Sequence, residues 1–305
     1  MERLLKKEYR DQWILHSSRR LTGRDALEKL LEQTGSPGFS VEKNKVVVMF
    51  ADMRGFTRIS EGLQPEELIT LLNAYLTSMI RAVNGQDGYV VQIQGDAILA
   101  VFSLPETRPD DPERSMLSGL TMLEQNERLN NRNLDVHPVI NIGIGMHYGE
   151  VVTGLIGSPL KRSYTMIGDV VNTASRIEGL TKVLGFPILV TLDLKLALHE
   201  PGQYLFMPLG KYILYGKKEA ISIFALLGAA GEDPQALHQT RWVRNAEEAF
   251  VFFENRDFDA AIKKFSELAH MTKISGFDYL VKQSYHFQKE PPGPEWEGSI
   301  TLDNK

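Results

Sequence analysis

Residues 45–51 read Lys45-Val46-Val47-Val48-Met49-Phe50-Ala51, and Asp52 follows at once. Every position after Lys45 is apolar, and three are β-branched valines. That is the composition of a central strand buried on both faces, not of one with a face in water. Outward from this strand, Pro65-Glu66-Glu67 opens a helix, with proline early and acids in the first turn. Leu68, Leu71, Leu72, Tyr75, Leu76, Met79, Ile80 and Val83 form its apolar stripe, and Gly85-Gln86-Asp87-Gly88 ends it. Strands over 89–93 and 97–102 flank Gln94-Gly95-Asp96, which is hairpin spacing.

A second helix is expected over about 112–131. The strict alternation over 139–146 then sets Ile140, Ile142, Ile144 and Met146 on one face, with Asn141, Gly143 and Gly145 on the other. A separate strand is expected over 150–156. Strand, helix, hairpin, helix, strand is the order of a ferredoxin-like split βαβ unit. The expected fold class is therefore α+β, a βαββαβ domain extended by strands near 204–214 and 221–227.

Three regions follow from these boundaries. Residues 1–44 are a polar, partly helical lead-in broken at Ser17-Ser18 and Gly35-Ser36-Pro37-Gly38. Residues 45–227 make the α+β domain. Residues 228–305 turn helical: Trp242, Ala246, Ala249, Phe250 and Phe253 form one stripe, and Phe258, Ala261, Ile262, Phe265 and Leu268 a second. The pair resembles one tetratricopeptide-type hairpin, with a third helix over 276–287 and an extended tail from Pro291. One such unit cannot bury its own apolar face, so it should dock on the α+β domain or on a second copy, and it is a possible protein-partner site.

Composition narrows the chemistry. A net charge of -5 over 305 residues argues against a nucleic-acid partner, which would favour a basic face. With no cysteine, disulfides, thiolate metal sites and a cysteine nucleophile are excluded, which fits a cytoplasmic protein. No apolar run is long enough to span a bilayer. The histidines show no i,i+4 pair of the kind that binds zinc, and His147 reads as a structural residue.

Asp52 leaves the buried strand, and Asp96 sits in the hairpin turn that this topology places beside it. Aspartate is common in turns without any ligand. Two carboxylates at adjacent strand ends, however, make a hard-oxygen site suited to Mg²⁺ or Mn²⁺, completed by phosphate oxygens and water. Asn172 and Arg176 are four apart on an expected helix and share one face, while Val170, Ala174 and Ile177 supply the buried stripe.

Three segments carry a family resemblance, in order and at matching spacing over about 45–227. Phe50-Ala51-Asp52-Met53-Arg54-Gly55-Phe56-Thr57 and Gly95-Asp96-Ala97-Ile98-Leu99-Ala100-Val101-Phe102 resemble the two metal-binding segments of class III adenylate and guanylate cyclases. The stretch 164–178, YTMIGDVVNTASRIE, looks like the family's helix with its catalytic asparagine and arginine. The resemblance implies that Asp52 and Asp96, helped by the Met53 carbonyl, bind two divalent cations. It implies that Arg54, Gly55, Phe56 and Thr57 lead into a helix whose free N–H groups meet triphosphate oxygens. Asn172 would orient the ribose, Arg176 would stabilise charge at the α-phosphate, and Lys217 or Lys218 would contact the triphosphate. In the family the aspartates and the Asn/Arg pair act from opposite subunits, so a homodimer is implied.

Base choice departs from the family pattern. Adenylate cyclases carry lysine four residues before the second aspartate and guanylate cyclases glutamate; here the position is Gln92, with Thr165 as its expected partner. A glutamine amide can donate to adenine or accept from guanine. Thr165 tilts the expectation to ATP, with GTP, relaxed purine specificity, or a weakly active nucleotide-binding module as alternatives. A diguanylate cyclase would need a Gly-Gly-Asp/Glu-Glu-Phe turn where this chain has Gln94-Gly95-Asp96-Ala97-Ile98.

Overall fold

The computed structural model describes residues 42–104, 107–132, 138–158, 161–231 and 234–302. Nearly all of the expected lead-in lies outside them. Strand β1 (Glu42–Met53) pairs antiparallel with β3 (Ala97–Phe102) on one side and with β4 (Ile142–Ser158) on the other. Strand β2 (Tyr89–Gln94) adds antiparallel to β3. The resulting order β2-β3-β1-β4 is the split βαβ arrangement expected from the element sequence. Along β1, Val47, Met49, Ala51 and Met53 enter one core while Val46 and Val48 enter another. The period of two thus buries both faces of the valine-rich run.

After β1 come the short helix α1 (Phe56–Gly62) and the long α2 (Pro65–Gly85). In α2, Leu71, Tyr75, Met79 and Val83 are buried at helical spacing, and Gln64 and Glu67 form a reciprocal capping box. With α3 (Asp111–Arg132), α2 covers the first core. On the opposite face lies α4 (Asp169–Leu184), reached through β5 (Lys161–Ile167), which pairs with the far end of β4. Strand β6 (Ile188–Thr191), helix α5 (Leu192–Ala197), β7 (Tyr204–Ile213) and β8 (Ala220–Ala229) complete the domain.

Two expectations need correcting. The strands foreseen over 139–146 and 150–156 are one strand, because His147, Tyr148 and Gly149 keep pairing with Val48, Val47 and Val46 without a turn. The stretch 164–178 is not all helix: it is divided at Gly168 into the end of β5 and the start of α4.

The glycines of β4 let α4 lie directly on the sheet. A Cβ on Gly145 would stand 2.2 Å from the Glu178 backbone nitrogen, and one on Gly143 would stand 2.3 Å from Thr181 Oγ1. This close approach fixes the distance between α4 and the end of β1.

The helical extension consists of α6 (Pro234–Glu254), α7 (Phe258–Thr272) and α8 (Ser275–Lys289). Phe250, Phe253, Phe265 and Phe277 pack with Tyr212 and Ile223 of the sheet and with Leu180 and Leu184 of α4. The extension therefore docks on its own α+β domain. The tail, expected to be merely extended, adds β9 (Ser299–Thr301) in parallel register to β7. Among the described residues no helix is long and apolar enough to cross a membrane.

Gly145→Val should lower unfolding free energy by roughly 2–3 kcal/mol, since the clash is with backbone that cannot turn aside. Gly179→Ala meets nothing within 4 Å among the described residues and should be neutral, or stabilising by about 0.5–1 kcal/mol. Chemical denaturation of the two variants checks the pair; equal effects would contradict the close packing.

Candidate active site

Asp52 is the penultimate residue of β1 and sits opposite Gly143. Asp96 occupies the β2–β3 turn between the paired Gln94 and Ala97, where Gly95 takes φ 65 as the first turn residue. Because Ile98 pairs with Ala51, the turn lands beside the end of β1. One N–H group joins the two acids: Met53 N donates to Asp52 Oδ1 at 3.0 Å and to Asp96 Oδ2 at 3.2 Å.

Burial raises the Asp96 carboxyl first, and a hydrogen bond and the charge of Asp52 push it further, from 3.8 to about 7. Two like charges held together call for a cation. Around them lie the Tyr75 hydroxyl, Glu178 Oε1 and Arg54 Nε, each buried with no hydrogen-bond partner among the described residues. These residues suit a hydrated divalent ion whose water would satisfy such groups. Among the described residues no three His, Cys, Asp or Glu side chains could hold a metal by themselves. The remaining ligands would then come from water and phosphate.

Helix α4 adds what sequence reasoning missed. Glu178 is buried above Gly143, and burial, reinforced by Asp52 and Asp96, lifts its carboxyl to about 7 against the pull of Lys182 and Arg54. Lys182 Nζ lies 3.6 Å from Asp52 Oδ2 and 4.0 Å from Glu178 Oε1. The i,i+4 spacing of Glu178 and Lys182 was visible in the sequence, but nothing there said that it faces Asp52. Arg54, expected on the triphosphate, is turned inward: Nη2 donates to the Phe186 carbonyl at 2.9 Å. Gly55 takes φ 70 and caps α1 in the left-handed conformation, placing Phe56 and Thr57 in the first turn.

Asn172, Arg176 and Lys217 lie along or beside the N-terminal half of α4. Asn172 is exposed. The Arg176 guanidinium reaches the β7–β8 turn, where a Cβ on Gly216 would lie 3.6 Å from it. Lys217 in that turn is ion-paired with Asp169, the first residue of α4. A cavity of about 530 Å³ opens here, lined by His147, Asp169, Thr173, Lys217 and Lys218. His147 Nδ1 lies 2.9 Å from Thr191 Oγ1, and burial lowers its pKa to about 4, so it stays neutral and structural. Gln92 is exposed on β2, just past a register shift between Val90 and Gln92. Thr165 pairs with Gly154 on β5, and its side chain lies outside the described residues.

Helix α4 runs antiparallel to β4, with Val170 over Gly149 and Thr181 over Gly143. Ten residues separate Asn172 from Lys182, about 15 Å along the axis. One protomer therefore does not bring Asn172 to the acid pair.

A palm-like α+β domain with paired carboxylates at the end of its central strand is the class that this fold and site define. Residues 40–228 match the family described as the adenylate and guanylate cyclase catalytic domain. An adenylate cyclase of Anabaena cylindrica is 36% identical over 195 residues, covering 59% of this chain and 36% of that protein. A receptor-type guanylate cyclase of Caenorhabditis elegans is 36% identical over 133 residues, covering 44% of this chain and 10% of that protein. The solved structure of a bacterial light-regulated adenylyl cyclase superposes with a TM-score of 0.61 at 25% identity, covering 80% of this chain and 68% of that one. The chain belongs to the class III adenylate/guanylate cyclase catalytic domain family. It spans little more than a third of the Anabaena relative and a tenth of the worm protein.

The raised Asp96 pKa gives a signed prediction for chelator-treated protein. The folded state holds its proton up to about pH 7 while the unfolded chain releases it near 3.8, so stability falls as pH rises between those values. Asp96→Asn lacks this loss. Its melting temperature should exceed that of wild type at pH 8, and the gap should close toward pH 4. An equal gap at both pH values would contradict the like-charge contact.

Proposed function

We propose that the chain is an adenylate cyclase, converting ATP to 3′,5′-cyclic AMP and pyrophosphate at sites shared between two copies. The observation that carries this reading is the shared Met53 N–H, which holds Asp52 and Asp96 together while Asn172 stands in the first turn of α4 and the Arg176 guanidinium turns to the β7–β8 turn. Both sets are needed on one triphosphate, and a two-fold dimer repeats each contact, giving two equivalent sites.

Asp52 and Asp96, with the Met53 carbonyl, would hold two divalent cations, Mg²⁺ or Mn²⁺. The chemistry such ions would supply there is a lowered pKa for the ribose 3′-hydroxyl and charge neutralisation at the β- and γ-phosphates. The 3′-oxygen would release its proton to solvent water and form the new bond to the α-phosphorus, while the bond from that phosphorus to the bridging oxygen breaks and pyrophosphate leaves. From the partner copy, Asn172 orients the ribose and Arg176 stabilises charge at the α-phosphate. Lys217, exchanging Asp169 for a phosphate, adds a cation at the departing end. The first turn of α1, with Gly55, Phe56 and Thr57, supplies N–H donors to the triphosphate, and Arg54 braces that turn from beneath through Phe186.

Gln92 and Thr165 would read the base. Adenylate cyclase relatives and the threonine favour ATP. A second reading, GTP or both purines, is favoured by Gln92, whose amide serves either base. A triphosphate substrate and a chain without cysteine suit the cytoplasm.

Purified protein with Mn²⁺ and equimolar ATP and GTP should yield cyclic AMP in excess by chromatography. Excess cyclic GMP would overturn the base assignment, and no cyclic product from either would overturn the enzymatic one. Asp52→Ala and Arg176→Ala chains should each be nearly inactive alone. Mixed, they should recover about one quarter of wild-type activity, because half the dimers are heterodimers with one intact site of two. No recovery in verified heterodimers would contradict the shared site.

A further inference from the structure

We infer that Lys182 is a tethered counter-cation for the acid pair, a lysine that neutralises Asp52 in the metal-free protein and sets how tightly the site takes a divalent ion. The inference rests on the proposed metal role of Asp52 and Asp96. Lys182 stands in the last turn of α4, whose backbone is pinned from two sides. Gly143 and Gly145 let the helix press on β4, and Gly276 of α8 packs against the Leu184 carbonyl at its end.

Three carboxylates, Asp52, Asp96 and Glu178, face two cations here, Arg54 and Lys182. The two cations are not equivalent. Arg54 is half-buried and its guanidinium is committed to the Phe186 carbonyl. Lys182 has a half-exposed side chain, and its ammonium stands 3.6 Å from Asp52 and 4.0 Å from Glu178, beyond hydrogen-bond length. A half-exposed ion pair at that separation is weak and exchangeable. Four methylene groups let the ammonium withdraw while the helix stays in place. A divalent ion binding at Asp52 must displace this charge or accept it as a neighbour, and either event weakens metal binding. Glu178, at one helical turn from Lys182, gives the withdrawn ammonium a second anion to rest on.

The test is Mn²⁺ binding to the full chain without nucleotide, followed by the electron paramagnetic resonance signal of free Mn²⁺. Lys182→Met keeps an unbranched side chain, one atom shorter, and removes its charge. It should tighten Mn²⁺ binding about three- to tenfold, the range expected for one partly screened charge a few ångströms away. Lys182→Gln should do the same, guarding against a folding defect peculiar to methionine, and Lys182→Arg should bind as wild type does. Asp52→Asn should lose most of the binding. Unchanged or weaker binding in both neutral variants, with loss in Asp52→Asn, would overturn the counter-cation role alone. Asp52→Asn binding like wild type, or no Mn²⁺ binding by wild type, would overturn the metal site itself.

Discussion

Two carboxylates are held against each other by one backbone N–H at the end of a buried strand, and the rest of the domain is arranged to make that possible. Asp52 and Asp96 would separate in a flexible chain. Here β1 is fixed by pairing on both sides and by apolar packing on both faces, and the pairing of Gln94 with Ala97 closes the β2–β3 turn that carries Asp96. Burial first, then the hydrogen bond and charge of Asp52, raise the Asp96 carboxyl, and a divalent cation would favour its ionised form. A site that is electrostatically unfavourable when empty is favourable when filled, which is how rigidity in the sheet becomes affinity for a charged ligand.

Helix α4 is the second constraint. Its contact with the sheet depends on Gly143 and Gly145, and that contact brings Glu178 and Lys182 to Asp52. The same straight helix carries Asn172 and Arg176 away from it, toward the β7–β8 turn and Lys217. One rigid element therefore contributes to two sites of different sign: an acidic one at its C-terminal half and a more basic one at its N-terminal half. Complementary patches that cannot meet within one copy can meet between two related by a two-fold axis. The helical extension supports this element, since Phe277, Leu180 and Leu184 share one core.

Much of this was legible in the sequence because it rests on local pattern. The valine run, the stripe from Leu68 to Val83 and the Gln94-Gly95-Asp96 turn each specify their element through periodicity or turn chemistry, and together they placed Asp52 beside Asp96. What could not be read depends on distance in sequence. Arg54 meets Phe186 across 132 residues, and Lys182 meets Asp52 across a contact that only the packing of α4 on β4 creates. The alternation of Gly143 and Gly145 was visible, but its purpose, an approach too close for any Cβ, belongs to tertiary structure. The division of 164–178 into strand and helix was missed because Gly168 breaks a stretch that otherwise carries a helical stripe. Strand β9, three residues long, is too short for any periodicity to show.

A chain without cysteine allows the shared cleft to be measured directly. Gln92 and Asn172 are both exposed, and each can be replaced singly by cysteine in separate chains. The two chains are mixed and treated with a short bifunctional maleimide. A covalent heterodimer is the result expected if the two ends of the site meet across protomers. No covalent heterodimer, together with efficient internal cross-linking in a chain carrying both cysteines, would contradict it.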